Sequence, residues 1–261
     1  VNRNTERRVE EMKLLVTGAS GFIGRNFLLT APRDWNITGI FFKTANFPDF
    51  IRLNKLENVT AERCNLFEPA EVNQLAKKTG GNFDAILYLA ANGDPTYSVI
   101  NPLSDLNSNT SSLINVLENI QCKRFVYISS GAVYDGLKGA VSPSSRLIST
   151  LPYAISKMAS EKYVQFYQVR RKAIDEYVIL RFFGAYGPYE PSRKIFSRLI
   201  NTIFFEKKDE FLVRGDGKNY IDAMYVEDAV KGILSVLSSN EKNITVDFGC
   251  CNPLTLKDLC L

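Results

Sequence analysis

The chain has 261 residues, enough to bury a full-sized core, with 45% hydrophobic residues and a formal net charge of +4. Its basic residues are scattered among acidic ones, which predicts no nucleic-acid face, and no apolar run is long enough to predict a membrane span. Five cysteines without metal-ligand spacing predict reduced thiols in a cytoplasmic protein and no metal site.

Periodic apolar runs begin at Met12, after a polar segment (residues 1–11) that we expect to be a disordered or added extension. The runs alternate with helix-length amphipathic stretches, as in the βαβ units of a doubly wound parallel sheet. The predicted strands are Lys13–Thr17, Ile37–Phe42, Val59–Cys64, Phe83–Leu89, Arg124–Ser129 and Tyr177–Phe183. The predicted helices are Phe22–Thr30, Glu68–Lys78, Leu106–Ile120 and Pro152–Lys172. This pattern predicts an α/β fold with a Rossmann domain over residues 12–183.

Turn-forming residues become frequent after Gly184, where the stretch AYGPYEPSRK precedes a short predicted helix, Ile195–Phe205. The following stretch FLVRGDGKNY is predicted as a strand that runs into a glycine turn. These pieces are too short for another doubly wound sheet, and they suit a cover over the edge where ligands of such sheets bind. We therefore predict a small substrate-binding lobe over residues 184–261, incomplete at its C-terminal end.

The first predicted strand runs into a glycine loop, TGASGFIG, with glycines at 18, 21 and 24. In a strand–turn–helix context such glycines permit a tight turn and a close approach of the backbone to a pyrophosphate. The loop therefore predicts a dinucleotide site for NAD or NADP. The second predicted strand ends without the acid that would hold the 2′-hydroxyl of NAD. Lys43 follows it, and Arg25 follows the last glycine, so the expectation leans to the 2′-phosphate of NADP.

Tyr153 and Lys157 lie four residues apart, on one face of a predicted helix. A tyrosine loses its proton only near pH ~10, and a neighbouring ammonium favours the phenolate. The strand end FVYISS brings the hydroxyls of Ser129 and Ser130 to the edge where ligands bind. Because the chain contains no histidine, a histidine base and a Ser-His-Asp triad are excluded. The sequence thus predicts a catalytic set of Tyr153, Lys157 and a hydroxyl from this strand end.

The order and spacing of the motifs TGASGFIG, LAA, SSGAVY, YAISK and RFFGAYGP resemble the extended short-chain dehydrogenases. More narrowly, they resemble the NAD-dependent epimerase/dehydratase family of sugar-nucleotide enzymes. The resemblance implies that Tyr153 is the acid/base, that Lys157 binds ribose and stabilises the phenolate, and that Ser130 contacts the substrate. It also implies cofactor contacts from Gly18, Ser20, Gly21, Phe22, Ile23, Gly24, Asn65, Leu66, Ala90, Ala91, Asn109, Ser129, Tyr153 and Lys157.

Departures from the family pattern bear on the reaction and the substrate. Gly131 and Ala132 stand where the family's dehydratases carry an Asp-Glu pair, so water elimination is not expected. Ile221 replaces the arginine that usually grips the substrate diphosphate, and Arg193, Lys194 or Arg214 could substitute for it. The resemblance therefore predicts a sugar-nucleotide 4-epimerase. The alternatives are a reductase or dehydrogenase of a nucleotide-linked keto-sugar, or a non-catalytic dinucleotide-binding regulator.

The resemblance also bears on partners. The predicted helices Leu106–Ile120 and Pro152–Lys172 form a four-helix dimer interface in many members of this family, and their apolar content permits a homodimer here. The expected partners are thus a small-molecule sugar nucleotide and a second copy of the chain, without nucleic acid or membrane.

Overall fold

The structure is a computed structural model that describes residues 12–213 and 215–260. The predicted extension 1–11 and Arg214 lie outside the described residues. Seven parallel strands form the main sheet, in the spatial order β3-β2-β1-β4-β5-β6-β10. They are β1 (Lys13–Thr17), β2 (Asn36–Phe41), β3 (Val59–Arg63), β4 (Asn82–Tyr88), β5 (Gln121–Ser130), β6 (Ile174–Phe182) and β10 (Ile244–Phe248). The predicted doubly wound fold is confirmed.

Helices cover both faces of this sheet, which explains why its central strands are continuous apolar runs. In β1, Leu14 and Val16 belong to the core cluster on one face, while Leu15 belongs to the cluster on the other face. The helices are α1 (Phe22–Thr30), α2 (Phe47–Leu53), α3 (Pro69–Thr79), α4 (Pro95–Ile100), α5 (Pro102–Leu106), α6 (Ser112–Asn119), α7 (Pro152–Phe166), α8 (Ile195–Ile200), α9 (Val226–Ser238) and α10 (Leu256–Leu259). None of the described helices is long and apolar enough to cross a membrane.

Three helices that the sequence predicted as continuous contain a wider π turn. The π segments are Asn107–Ser111 between α5 and α6, Tyr167–Arg171 after α7, and Asn201–Phe205 after α8. Such bulges change the direction in which the following side chains of a helix point, and periodicity alone does not reveal them.

A strand and a helix that follow residue 184 belong to the main sheet and to its covering helices. The sequence analysis had placed this part of the chain in the small lobe. Strand β10 pairs with β6, and α9 packs against α1. The buried positions of α9 recur with helical spacing at 226, 229, 230, 233 and 237, a signal that the prediction missed. The division into two domains at residue 183 remains a prediction.

We use the name small lobe for the described residues within 184–225 and 249–260. It contains α8, α10 and two ribbons with strands of two residues each. The ribbons pair β7 (Ala185–Tyr186) with β9 (Met224–Tyr225), and β8 (Tyr220–Ile221) with β11 (Leu254–Thr255). The strand predicted over FLVRGDGKNY was wrong, since Tyr220 is the only one of its described residues that lies in a strand. Leu212 is 80% exposed, so this apolar stretch packs against little that would order it as a strand.

Candidate active site

The glycine loop packs its backbone against the carboxyl end of β4. Gly18 has φ +65°, and a Cβ added there would lie 2.8 Å from the backbone nitrogen of Ala90. A Cβ at Gly24 would lie 2.6 Å from the carbonyl oxygens of both Gly18 and Ala19. Only glycine permits these approaches, which bring α1 close to the loop. No side chain in the described chain caps the N-terminus of α1 at Gly21, so its first N–H groups can donate to an anion.

Neighbouring side chains hold this loop in place. The Thr17 hydroxyl accepts hydrogen bonds from the backbone N–H groups of Leu89 and Ala90, both at 3.1 Å. Arg25 donates from Nε to the Ser20 carbonyl oxygen at 2.9 Å. Thr17 is a positioning residue that the sequence analysis missed, because a threonine at a strand end carries no distinctive signal.

A cavity of about 910 Å³ opens along the carboxyl ends of β1, β2 and β4, where doubly wound sheets bind their ligands. From the glycine loop, Gly18, Ser20 and Gly21 line it. From the other strand ends, the predicted residues Lys43, Asn65, Leu66, Ala90 and Ala91 line it. Phe22, Ile23 and Gly24 lie in the first turn of α1 and are not among its lining residues.

The end of the cavity that follows β2 is positively charged. Lys43 Nζ lies 5.7 Å from the Phe42 ring centroid, and the Arg63 guanidinium lies 5.1 Å from the same centroid. No carboxylate lines the cavity in residues 12–213 and 215–260. Arg25 faces elsewhere, because its guanidinium lies over the rings of Phe50 and Tyr189. Arg63 was missed, since its approach to Phe42 depends on pairing between β2 and β3.

The structure brings the three predicted catalytic residues together at the end of β5. Tyr153 and Lys157 share the inner face of α7, with exposed fractions of 9% and 3%. The Ser130 hydroxyl, at the last residue of β5, lies close enough to the Tyr153 hydroxyl to lower its pKa, and it accepts a hydrogen bond from Ala132 N at 3.1 Å. Lys157 Nζ donates to the Ile128 carbonyl oxygen at 2.9 Å.

Burial dominates the ionisation of both α7 residues. It raises the pKa of Tyr153, which contact with Ser130 lowers and the charge of Asp105 raises further. Burial also lowers the pKa of Lys157 from 10.5 to about 8, against the opposing effect of the carboxylates of Asp105 and Glu161. From the sequence we expected the Lys157 ammonium to lower the pKa of Tyr153 and so favour the phenolate. In the structure, desolvation of the phenol has the larger effect on this pKa, and it raises it.

Ser129, predicted as a cofactor contact, faces a buried ion pair. Its hydroxyl donates to Glu161 Oε1 at 2.6 Å. Glu161 accepts two further hydrogen bonds from Arg181, at 3.0 and 2.8 Å. This group ties α7 to β5 and β6, and so holds the helix that carries Tyr153 and Lys157.

Asn109, predicted near the nicotinamide, is buried with its amide fully engaged. Its Nδ2 donates to Asp105 Oδ1 and to Ser156 Oγ, both at 2.9 Å. Its Oδ1 accepts from the backbone N–H of Asn92 at 2.8 Å. Asp105 and Ser156 were missed; Asp105 lies just before the predicted helix Leu106–Ile120, so its four-residue spacing from Asn109 was not recognised as helical.

The predicted substrate residue Arg193 reaches across from the small lobe. Its Nε donates to Asp94 Oδ2 at 3.1 Å, in a half-exposed ion pair that joins the loop after β4 to the lobe. Across residues 12–213 and 215–260, no cluster of three or more potential ligands could hold a metal ion.

Comparisons with known proteins give a consistent result. The model of the NAD dependent epimerase/dehydratase family matches residues 14–248. An uncharacterized UDP-glucose epimerase of Bacillus subtilis (strain 168) is 33% identical over 234 residues, covering 87% of this chain and 72% of that protein. A dTDP-D-glucose 4,6-dehydratase of Mus musculus is 28% identical, covering 91% and 68%. The solved UDP-glucuronic acid 4-epimerase of Bacillus cereus, in complex with UDP-glucuronic acid and NAD, is 26% identical with a TM-score of 0.81, covering 95% and 81%.

Proposed function

The chain belongs to the NAD dependent epimerase/dehydratase family of enzymes, and from this premise we propose that it is a sugar-nucleotide 4-epimerase that uses NAD or NADP. The observation that carries the proposal is the meeting of Ser130, Tyr153 and Lys157 at the carboxyl end of β5. The family relatives named as UDP-glucose and UDP-glucuronic acid epimerases favour a UDP-sugar as substrate.

The glycine cradle fits a dinucleotide. Gly18 and Gly24 leave no room for a Cβ, and the uncapped start of α1 offers N–H donors to a diphosphate. Lys43, Asn65 and Ala90 would contact the remainder along the cavity. When bound, the nicotinamide would accept hydride from the sugar and return it to the opposite face.

Tyr153 takes the proton from the sugar hydroxyl and returns it after the carbon has inverted. Ser130 orients that hydroxyl, because its own hydroxyl lies near that of Tyr153, whose pKa it lowers. Lys157 binds the ribose, and its charge together with that of the oxidised nicotinamide offsets the cost of forming a buried phenolate.

Steric and chemical features near Ser130 favour epimerisation over water elimination. A dehydratase needs an acid to protonate the leaving hydroxyl, and Gly131 and Ala132 supply none. A Cβ at Gly131 would lie 2.8 Å from the Phe183 ring, so a longer acidic side chain there would have to displace that ring. A keto-sugar reductase would use the same residues and stays the second candidate.

We propose that the protein binds NADP at least as tightly as it binds NAD. Lys43 and Arg63 flank the end of β2, where a 2′-phosphate would lie, and the described cavity lining contains no carboxylate. The Bacillus cereus relative was solved with NAD, which supports NAD as the alternative. Titration of cofactor-free protein with both dinucleotides distinguishes them, and a strong preference for NAD would make Lys43 a surface charge.

Incubation with a panel of UDP-, GDP-, CDP- and dTDP-hexoses and UDP-hexuronic acids tests the reaction. The expected product is a stereoisomer of unchanged mass. A product two hydrogens heavier, formed from a 4-keto sugar and reduced cofactor, would identify a reductase. A product lighter by one water would contradict both.

We propose a cytoplasmic location, in keeping with the free thiols of the described cysteines. We also propose a homodimer through α7 and the helical stretch that runs from α5 to α6, which correspond to the predicted helices Pro152–Lys172 and Leu106–Ile120. Large apolar side chains are exposed on α5, α7 and the π turn after α7: Leu103, Leu106, Ile155, Tyr163, Phe166 and Val169. A second copy that presents the same face would bury them. Light scattering should show a dimer that Phe166→Glu dissociates; a monomeric wild type would contradict this.

A further inference from the structure

Two buried residues of opposite charge, Asp105 and Lys157, lie on the contacting helices α5 and α7 and form no direct ion pair with each other. Asp105 is fully buried and Lys157 is 3% exposed. Neither forms an ion pair within 4.0 Å in the part of the chain that the structure describes. The neighbouring Glu161 differs, because Arg181 neutralises it at 2.8 Å. A buried charge without compensation is costly, so the unpaired carboxylate and ammonium call for an explanation.

The Asp105 carboxylate is fully provided with donors. It accepts hydrogen bonds from Asn92 Nδ2 at 2.8 Å, Asn109 Nδ2 at 2.9 Å and Ser156 Oγ at 2.7 Å. An ionised carboxylate only accepts, so it satisfies all three donors at once. Ser156 immediately precedes Lys157 in α7, which places the carboxylate beside the turn that carries the ammonium.

We propose that Asp105 is the counter-charge of Lys157: a positioning residue that keeps the ammonium charged for the cofactor ribose and for Tyr153. The inference rests on the proposed function in one respect, the role of Lys157 as a ribose ligand. Asp105 acts through its electric field in the buried contact between the helices, where charge interactions extend further than in water.

Other groups near Lys157 cannot replace Asp105. On its own helix, Glu161 raises the pKa of Lys157 as Asp105 does, but Arg181 of β6 offsets that charge. From β5, the Tyr127 ring lies 4.9 Å from Nζ and carries no formal charge. Tyr153, the remaining titratable neighbour on α7, is a neutral phenol whose pKa burial raises.

The main experiment is the affinity for NADH and NADPH between about pH 6 and pH 9. In wild type, affinity should fall as pH rises through about 8, where Lys157 loses its proton. Asp105→Asn keeps the shape of the side chain, and Ser156 can still donate to the Tyr153 carbonyl oxygen, 2.9 Å away. In this variant the fall should move to lower pH, with about tenfold weaker binding near neutral pH and near-normal binding at the acidic end.

Two control variants separate charge from structure. Ser156→Ala removes a hydrogen-bond donor but keeps the Asp105 carboxylate. The pH at which dinucleotide affinity falls should therefore stay the same as in wild type. Asp175→Asn changes an exposed aspartate at the start of β6 and should behave as wild type. Equal weakening of Asp105→Asn at every pH would show a structural role and overturn the proposal.

Two cofactor-free measurements separate this proposal from the proposed function. Thermal unfolding should show Asp105→Asn destabilised more at neutral pH than near pH 10, where Lys157 is neutral in both proteins; a loss independent of pH overturns the proposal. Carbon-13 NMR of wild-type aspartate carboxyls requires no variant to fold, and a protonated Asp105 at neutral pH also overturns it. If no dinucleotide binds the wild type, the proposed function fails, while these two results still decide the role of Asp105.

Discussion

The Rossmann part of the molecule (residues 12–183 and 226–248) is packed more closely than the small lobe. In the Rossmann part, single carbon atoms added at Gly18 or Gly24 would collide with backbone. The small lobe has strands of two residues, and Phe204 and Phe205 of its α8 region are 73% and 75% exposed. Under the proposed function, dinucleotide and proton chemistry would belong to the closely packed part, and substrate selection to the loosely packed lobe.

The largest expected effect comes from Tyr153→Phe, which tests whether chemistry resides entirely in the packed part. Turnover should fall about 10²–10⁴-fold or more, because the proton donor and acceptor is lost. Dinucleotide affinity should stay within about threefold, since the ring and its packing remain. Activity assays with the sugar nucleotide and fluorescence titration with NADH measure the two, and near-normal turnover would make the Tyr153–Lys157 motif structural.

Lys157→Met tests how much stability the Rossmann part loses by burying the Lys157 charge. The folded-state pKa of Lys157, about 8, lies below the ordinary lysine value of 10.5. The unfolded state therefore binds more protons between these values, and stability of the cofactor-free protein should rise by about 3 kcal/mol over that pH window. Below about pH 8 the folded protein bears the full free-energy cost of burying the charged Lys157, and above about pH 10.5 this cost is absent. Denaturant unfolding of Lys157→Met should lack the rise.

Gly24→Ala tests the packing tolerance itself. The added Cβ must displace two carbonyl oxygens 2.6 Å away, which should cost about 2 kcal/mol and weaken dinucleotide binding. Gly93→Ala is the matched control, because nothing lies within 4 Å of its added Cβ. Urea denaturation compares the two variants, and equal stabilities would mean that the loop yields easily.

Arg193→Gln carries the smallest expected effect and tests the small lobe. If Arg193 exchanges its contact with Asp94 for the substrate diphosphate, KM for the sugar nucleotide should rise about tenfold with little change in NADH affinity. Arg52→Gln, at an exposed arginine paired with Asp49, is the control and should leave KM unchanged. A parallel loss of NADH affinity would place Arg193 in the cofactor site instead.

Local spacing in the sequence was sufficient for the features that one segment specifies. The bounds of β1 and α1 match the prediction, and the glycine loop lies between them as expected. The four-residue spacing of Tyr153 and Lys157 was enough to place both on one face of α7. The fold class and the family followed from these motifs and are confirmed. Such features depend on contacts between near neighbours, which periodicity and backbone geometry determine.

Tertiary structure alone decided the contacts between distant segments. The hydrogen bond from Asn109 to Ser156 spans 47 residues, and the one from Ser156 to Asp105 spans 51. Pairing of β10 with β6 likewise assigned a segment to the main sheet that its position in the chain had suggested for the lobe. Which buried charges meet depends on how helices and strands pack, and burial then sets the balance of protonation at Tyr153 and Lys157. No local pattern contains that information, because desolvation is a property of the assembled core.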